Sequence, residues 1–293
     1  MKTVSQCIVC GSSDFSPFLT CQDYTVSQEK FAITSCNACG FKFTNPRPED
    51  SALGAYYKSE NYISHTNTRK GLVNQLYHLV RTRTLRKKLG LVRSYVSHGT
   101  ILDYGCGTGM FLSVCKQAGW ETFGMEPDDQ ARQIASENNL NLFSDKDRIN
   151  TYITDKKFDV ITLWHVLEHV TDMDETLSFF KARLKPKGVL FIAVPNHVSY
   201  DARYYGEHWA AYDVPRHLYH FEKKSVQRLL ESKGFQLRET LPMKFDSYYV
   251  SLLSEKYKTG KSNLLKAFWT GFRSNLVANN ESYSSSIYVF THA

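Results

Sequence analysis

From residue 100 onward, apolar runs alternate with helical spacings. Ile101-Leu102 leads into a glycine-rich turn, and Met110, Phe111, Val114, Cys115 and Ala118 then recur as one helical face, ended by Gly119. Glu121 to Met125 reads as a strand, and Asp128 can cap a helix carrying Ala131, Ile134 and Ala135. Phe158 to Trp164 predicts a buried strand, and Leu177, Phe180 and Leu184 mark the helix after it. Pro186-Lys187-Gly188 predicts a turn, and Val189 to Val194 another buried strand. Ser225 to Lys233 predicts a helix closed by Gly234; Gln236 to Leu241 and Ile287 to Phe290 predict two final strands. Buried strands separated by helices imply an α/β fold with a doubly wound, mostly parallel sheet covered on both faces.

The first 45 residues differ. They are rich in Cys, Ser, Thr and Phe, show little helical periodicity, and predict a small β-rich module. Asn45-Pro46-Arg47-Pro48 interrupts the chain, because proline disfavours continuation of either regular element. An aromatic cluster follows at Tyr56, Tyr57, Tyr62 and His65, and residues 70 to 96 have helical spacing at Leu72, Leu76, Leu79, Val80, Leu85, Leu89 and Val92. The expected organisation is a module over 1–45, a linker and helical segment over 46–98, and an α/β domain over 99–293. An insertion at 243–283 carries Tyr248, Tyr249, Leu252, Leu253, Phe268, Trp269 and Phe272, and fits a lid, a dimer surface or ordinary core equally.

Charge changes this picture little. The chain has 293 residues, 36 Lys and Arg against 29 Asp and Glu, and a formal net charge of +7. Basic residues gather at Arg81, Arg83, Arg86, Lys87, Lys88 and Arg93, and at Lys256, Lys258, Lys261 and Lys266. They suit an anionic substrate or a solvated helix face. No apolar run is long enough for a membrane span, and Met1 to Cys7 lacks the apolar core of a signal peptide, so the expected location is cytoplasmic.

The seven cysteines are more informative. Cys7-x-x-Cys10 and Cys36-x-x-Cys39 lie 25 residues apart, followed by Gly11 and Gly40. That is the pattern of two knuckles supplying a tetrahedral thiolate site, so Cys7, Cys10, Cys36 and Cys39 are the expected ligands of a structural zinc in a zinc ribbon-like module. The bland alternatives are redox pairs or chance spacing. Cys21, Cys106 and Cys115 read as small packing residues.

Asp103-Tyr104-Gly105-Cys106-Gly107-Thr108-Gly109 joins a predicted strand to a predicted helix. Glycines let the backbone turn sharply and approach a ligand. The dinucleotide pattern needs Gly-x-Gly-x-x-Gly, whereas here the third glycine comes one residue early. Asp103 would sit poorly beside a pyrophosphate and well beside an ammonium group. This loop resembles motif I of class I S-adenosylmethionine (SAM) dependent methyltransferases. Gly124-Met125-Glu126-Pro127-Asp128 resembles the motif after their second strand, where an acid accepts hydrogen bonds from both ribose hydroxyls. Phe158 to Val170 and Leu184 to Leu190 resemble the fourth-strand segment, and the turn into the fifth strand, of the subgroup related to ubiquinone-biosynthesis O-methyltransferases. The resemblance covers roughly 99 to 241 and returns at the last strand.

It implies a Rossmann-like seven-stranded sheet with an antiparallel last strand, and a SAM site formed by Asp103, Gly105, Cys106, Gly107, Gly109, Glu126, Pro127 and His165. It puts the end of the fourth strand beside the methyl-transfer site, with His169, His165 and His217 as catalytic candidates and His169 as the candidate general base. Histidines that merely hold the loop are the alternative. The stretch Trp209 to Phe221, dense in aromatics and charge, reads as substrate wall, with Asp213, Arg216, His217, His220 and Tyr57 as candidate contacts. A structural corner pairing Arg216 with Asp213 explains it equally well. His165-Val166-Leu167-Glu168-His169 also matches an inverted metalloprotease motif, which would require both histidines on one helical face.

The expected function is methyl transfer from SAM to oxygen or carbon of a small-molecule acceptor, a sugar or a glycan or lipid precursor. Absence of Asn-Pro-Pro-Tyr after the fourth strand argues against methylation of exocyclic base amines. The alternatives are an RNA methyltransferase docking through the zinc module and basic helix, and a non-catalytic scaffold binding SAM and zinc. N-terminal zinc modules also occur in certain sugar C-methyltransferases and one type of ribosomal RNA guanine methyltransferase, a likeness of architecture only. Oligomeric state stays open.

Overall fold

In the computed structural model the chain is described over residues 1–57, 72–279 and 281–293; Tyr62 and His65 lie outside the described residues. Strands β1 (Phe15–Gln22), β2 (Lys30–Cys36) and β3 (Lys42–Thr44) form an antiparallel meander. A 3-10 helix over Asp50–Tyr57 and helix α1 (Leu72–Tyr95) lead to β4 (Thr100–Tyr104), α2 (Met110–Gln117), β5 (Glu121–Met125), α3 (Asp129–Ser136), β6 (Asn141–Phe143), α4 (Lys146–Tyr152) and β7 (Phe158–Trp164). Then come α5 (Met173–Arg183), β8 (Leu184–Pro195), α6 (Tyr200–Tyr205), β9 (Tyr219–His220), α7 (Lys223–Glu231), β10 (Phe235–Pro242), α8 (Asp246–Thr259), α9 (Leu264–Val277) and β11 (Ser285–His292).

Seven strands form one sheet in the order β10-β11-β8-β7-β4-β5-β6. Pairings β8–β7–β4–β5–β6 are parallel, and β11 runs antiparallel between β10 and β8. Successive side chains of a strand point to opposite faces, so neighbours divide between two cores. Leu102, Ile161, Leu190 and Ile192 pack with Leu177 and Phe180 of α5 on one face. Ile101, Val160, Phe191 and Val289 pack with Leu89 and Val92 of α1 on the other. Helices on both faces thus bury the central strands completely.

One sequence-level expectation is corrected. Pro186-Lys187-Gly188 does not separate a helix from a strand; it lies inside β8. Phe158 pairs with Leu184 and Val160 with Val189, so residues 185–188 bulge out between two paired positions. A bulge leaves its residues outside the ladder, which removes the penalty for Pro186 lacking an N–H.

The N-terminal meander is joined to the larger sheet's core. Strand β9 supplies its fourth strand, pairing Lys42 with His220 and Phe43 with Tyr219. Phe41, Phe43, Tyr219 and Phe221 form one aromatic stack in the same cluster as Leu102 and Ile161. Within segment 243–283, α8 and α9 form a helical hairpin whose Trp269 and Leu265 are 62% and 75% exposed, which removes ordinary core as the explanation of that face. Among the described residues, no helix is long and apolar enough to cross a membrane.

Candidate functional site

The glycine loop leaves the carboxyl end of β4. Gly105, Gly107 and Gly109 all have left-handed backbones, with φ of 75°, 53° and 72°. At Gly105 a Cβ would stand 2.5 Å from Val166 Cγ2, so the loop and the turn after β7 could not close with any larger residue. At Gly107 nothing lies within 4 Å of that position, so this stretch of backbone faces open space, while Gly109 caps α2. Gly105 and Cys106 both donate their N–H to Met125 O, at 2.7 and 3.0 Å, which ties the loop to the end of β5. The Cys106 side chain is buried beneath the loop, and burial pushes its thiol well up.

Two carboxylates frame the loop. Glu126 follows β5 and reaches across it: Gly107 N–H donates to Oε2 at 2.8 Å and Asp128 N–H to Oε1 at 3.0 Å. Pro127 is exposed at the turn into α3. A hollow lined by Arg132, Leu142, Phe143, Ser144, Arg148 and Tyr152 opens here, and Glu126 N–H bonds Phe143 O at its edge. Asp103 is buried, with Thr162 Oγ1 donating to it at 2.6 Å. Burial raises its carboxyl to about 7, against the lowering effects of the Thr162 bond and the Lys88 ammonium. Lys88 stands 4.4 Å over the Trp164 ring, and burial pulls its own pKa down while Asp103 and Asp246 pull it up. Sequence reasoning placed Lys88 only in a basic cluster. Its signal was positional: it falls three residues after Leu85 and four before Val92, on the stripe with which α1 faces the core.

The end of β7 carries the second half of the site. His165 has a left-handed backbone, φ 59°, and donates its N–H to Ala193 O at 2.9 Å. Its Nε2 lies 2.9 Å from Asp246 Oδ2 and its Nδ1 3.5 Å from Glu168 Oε1. Burial alone would lower the imidazole, but the two carboxylates override it and lift the pKa to about 9. A pKa raised this far favours the imidazolium at neutral pH, and the general-base candidate of this turn stays His169. Only a three-residue 3-10 turn, Leu167–His169, follows, so His165 and His169 do not share the helical face that the metalloprotease motif requires.

Glu168 is fully buried, and neither carboxylate oxygen has a hydrogen bond among the described residues. Burial opposes its charge, yet His165, His217 and His169 hold its pKa below the ordinary value. His169 Nδ1 lies 3.0 Å from Arg216 O and 2.9 Å from Tyr57 Oη. A carbonyl only accepts, so Nδ1 carries the proton and Nε2 keeps its lone pair. Burial, then the nearby His217, lowers His169 to about 4, so it is neutral at physiological pH. His217 Nδ1 is fixed likewise, 2.8 Å from Ala211 O, and its ring meets His169 edge-on at 4.6 Å. Ligand atoms of Glu168, His169 and His217 lie within 4.8 Å of one another.

Three of the expected substrate contacts, Arg216, Asp213 and His220, have partners within the protein. Arg216 Nε donates to Asp213 Oδ2 at 3.0 Å, Nη1 to Tyr56 O at 2.8 Å, and Nη2 to Asp23 Oδ1 at 3.2 Å and Thr25 Oγ1 at 2.8 Å. With that fork satisfied and the residue 6% exposed, Arg216 and Asp213 clamp the N-terminal module to the loop after α6. His220 is buried in β9 with its Nε2 3.1 Å from Thr44 Oγ1, also at this seam. Sequence reasoning missed Asp23 and Asp246, whose partners lie far away in the chain. Tyr57 and His217 remain with His169.

In the N-terminal module Cys7, Cys10, Cys36 and Cys39 converge, with all four Sγ atoms within 4.8 Å of one another. Cys7–Cys39 and Cys10–Cys36 are 3.6 and 3.5 Å apart. A zinc ion with four thiolates at about 2.3 Å sets sulfurs about 3.8 Å apart, so the spacing fits. Gly11 and Gly40 turn with φ of 75° and 77°, and donate to Cys7 O and Cys36 O. The tight knuckles this makes direct Val9 and Cys10 N–H at the Cys7 sulfur, and Ala38 and Cys39 N–H at that of Cys36.

Comparison with known proteins agrees with this geometry. Residues 76–240 match the family model described as a methyltransferase domain. Over 135 residues the chain is 33% identical to the ubiquinone biosynthesis O-methyltransferase of Actinobacillus pleuropneumoniae serotype 5b (strain L20), covering 42% of this chain and 58% of that protein. Over 191 residues it is 26% identical to that of Rickettsia bellii (strain OSU 85-389), covering 60% and 79%. The chain thus spans about three fifths of the length of the first of these relatives. Among solved structures, magnesium protoporphyrin IX methyltransferase from Synechocystis PCC 6803 with bound SAM superposes with a TM-score of 0.51 at 13% identity, covering 85% of this chain and all of that one. The form with bound SAH gives 0.52 at 14% identity, covering 83% and all. The glycine loop, the strand order and the matched segment lead to one conclusion: this chain belongs to the methyltransferase domain family.

Proposed function

We propose that the chain is a SAM-dependent methyltransferase that deprotonates a hydroxyl, or an activated carbon, of a small-molecule acceptor such as a sugar or a glycan or lipid precursor. The observation that carries the reading is the neutral His169, its Nδ1–H held by Arg216 O, in the same turn-and-loop cluster as Tyr57, Glu168 and His217 at the carboxyl end of β7. The glycine loop fits the cofactor, since Gly107 presents open backbone and Glu126 stands beside it with a carboxylate able to accept from two vicinal hydroxyls. Asp103 is a buried carboxyl whose charge a bound ammonium would stabilise. SAM, when bound, supplies a sulfonium-activated methyl group.

The protein's part is alignment and proton removal. His169 Nε2 accepts the acceptor's proton. The imidazolium so formed is balanced by Glu168, whose buried carboxylate already feels His165, His217 and His169. A structural zinc on Cys7, Cys10, Cys36 and Cys39 would hold the module against the seam that carries Arg216. A second reading of the Glu168, His169 and His217 cluster, favoured by the convergence of their ligand atoms within 4.8 Å, is a divalent cation that orients the acceptor.

Turnover of SAM in the presence of candidate acceptors tests the proposal. His169→Gln should lower kcat by about a hundredfold or more and leave SAM affinity unchanged. Unchanged kcat would overturn the base assignment.

A further inference from the structure

The α8–α9 hairpin is built inside out. Helix α9 turns Ala267, Thr270, Gly271 and Ser274 inward. Its large side chains lie outward: Leu264, Phe268, Phe272 and Leu276 recur every four residues, flanked by Leu265 and Trp269, and all six are 40–75% exposed. Helix α8 has the same polarity, with Ser247, Ser251, Ser254 and Glu255 buried. The two helices pack closely through these small residues. Ser247 Oγ donates to Gly271 O at 3.1 Å, and a Cβ on Gly271 would meet the Tyr248 backbone at 2.9 Å. A helix in water places its apolar stripe against the core. Here the stripe faces away, and an exposed apolar patch of this kind marks an interaction surface.

Charge decides what covers it. Residues 244–277 contain six bases, Lys244, Lys256, Lys258, Lys261, Lys266 and Arg273, and two acids. Both acids are engaged: Asp246 holds His165, and buried Glu255 pairs with Lys266 at 3.1 Å. Lys256, Lys258, Lys261 and Arg273 of the same hairpin are exposed, Lys258 lying over the Tyr204 ring and Arg273 over that of Tyr200. A second copy docking by two-fold symmetry would set these bases against themselves, whereas an anionic surface complements them. At 14 residues, α9 is about 21 Å long, too short to span a bilayer and long enough to lie in its interface.

We propose that this hairpin seats the protein on an anionic phospholipid membrane, with the α9 stripe at the acyl-chain boundary and the lysines at the headgroups. Helix α8 opens at Asp246, the partner of His165, so the seated hairpin sets the His165–His169 cluster close to the lipid surface and to a lipid-borne acceptor. That last clause rests on the methyl transfer proposed above; membrane seating does not.

Vesicle flotation of the full chain tests it, with phosphatidylcholine vesicles with and without phosphatidylglycerol. Flotation is expected with the anionic vesicles and not with pure phosphatidylcholine, falling in high salt. Leu265→Ser with Trp269→Ser, both exposed and outside the core, should weaken it roughly tenfold with unchanged thermal melting. In the wild type, Trp269 emission should shift to the blue on binding and be quenched by brominated lipid. No flotation, equal flotation of the double variant, or a dimer that the double variant splits without any lipid uptake would each overturn the proposal. SAM binding is measured on the same samples, so failure of the membrane inference is distinguishable from failure of the methyltransferase reading.

Discussion

His165 Nε2 and Asp246 Oδ2 meet at 2.9 Å, joining the end of β7 to the first turn of α8. The pair makes the histidine cationic, lifting it to about 9 from an unperturbed value near 6.5. A group whose folded pKa is raised gives stability that is fully present below about 6.5 and is lost as pH rises through about 9. Asp246→Asn should shift the His165 resonance, followed by NMR titration, to a much lower midpoint. It should also remove this alkaline loss from the pH dependence of urea unfolding. A midpoint unchanged by the substitution would contradict the pairing.

The Arg216 clamp predicts a stability effect separate from chemistry. Removing one partner of a buried ion pair leaves the other charge unpaired, at a cost of about 3–5 kcal/mol. Arg216→Ala should destabilise by that amount in urea unfolding, because buried Asp23 loses its cation. Arg216→Lys should recover only part of the loss, since a point charge cannot reach Asp213, Asp23 and the Tyr56 carbonyl together. Full stability in Arg216→Ala would contradict a clamping role for this residue.

Asp103 predicts how cofactor affinity varies with pH. Its carboxyl titrates near 7 because burial favours the neutral form, and a bound ammonium favours the charged form. SAM affinity should rise with pH through about 7, with proton release visible as a buffer-dependent binding enthalpy. In Asp103→Asn the affinity should be lower and this pH dependence absent. A pH-independent wild-type affinity would show that Asp103 does not meet the cofactor's charge.

Metal analysis tests the four-cysteine site. One zinc per chain is expected, and Cys36→Ser should lower both zinc content and melting temperature. The effect should reach beyond the first 45 residues, since Cys7, Cys36, Phe41 and Phe43 share a core cluster with Leu102 and Ile161. Intact stability with no metal bound would contradict a structural zinc.

The main sheet was legible because its strands are buried on both faces and read as apolar runs: Glu121–Met125 and Phe158–Trp164 match the expected spans. The bulge at 185–188 was not, since Pro-Lys-Gly carries a turn signal whether the chain reverses or merely steps out of register. Nor was β9, whose two residues pair with Lys42 and Phe43 from a distant part of the chain. In the site, the glycine loop and Glu126 announce themselves through local spacing. Lys88, Asp246 and Asp23 enter through tertiary contacts, and the charge of His165 follows from an aspartate 81 positions later.

The central claim is that the loop from Asp103 to Gly109 and the acid at Glu126 bind SAM. Calorimetric titration of SAM into the wild type and into Glu126→Ala tests it most directly. The wild type should bind one equivalent, and loss of two charge-assisted hydrogen bonds should weaken the variant by roughly a hundredfold. Equal affinity in the two proteins, or no binding to the wild type, would contradict the account.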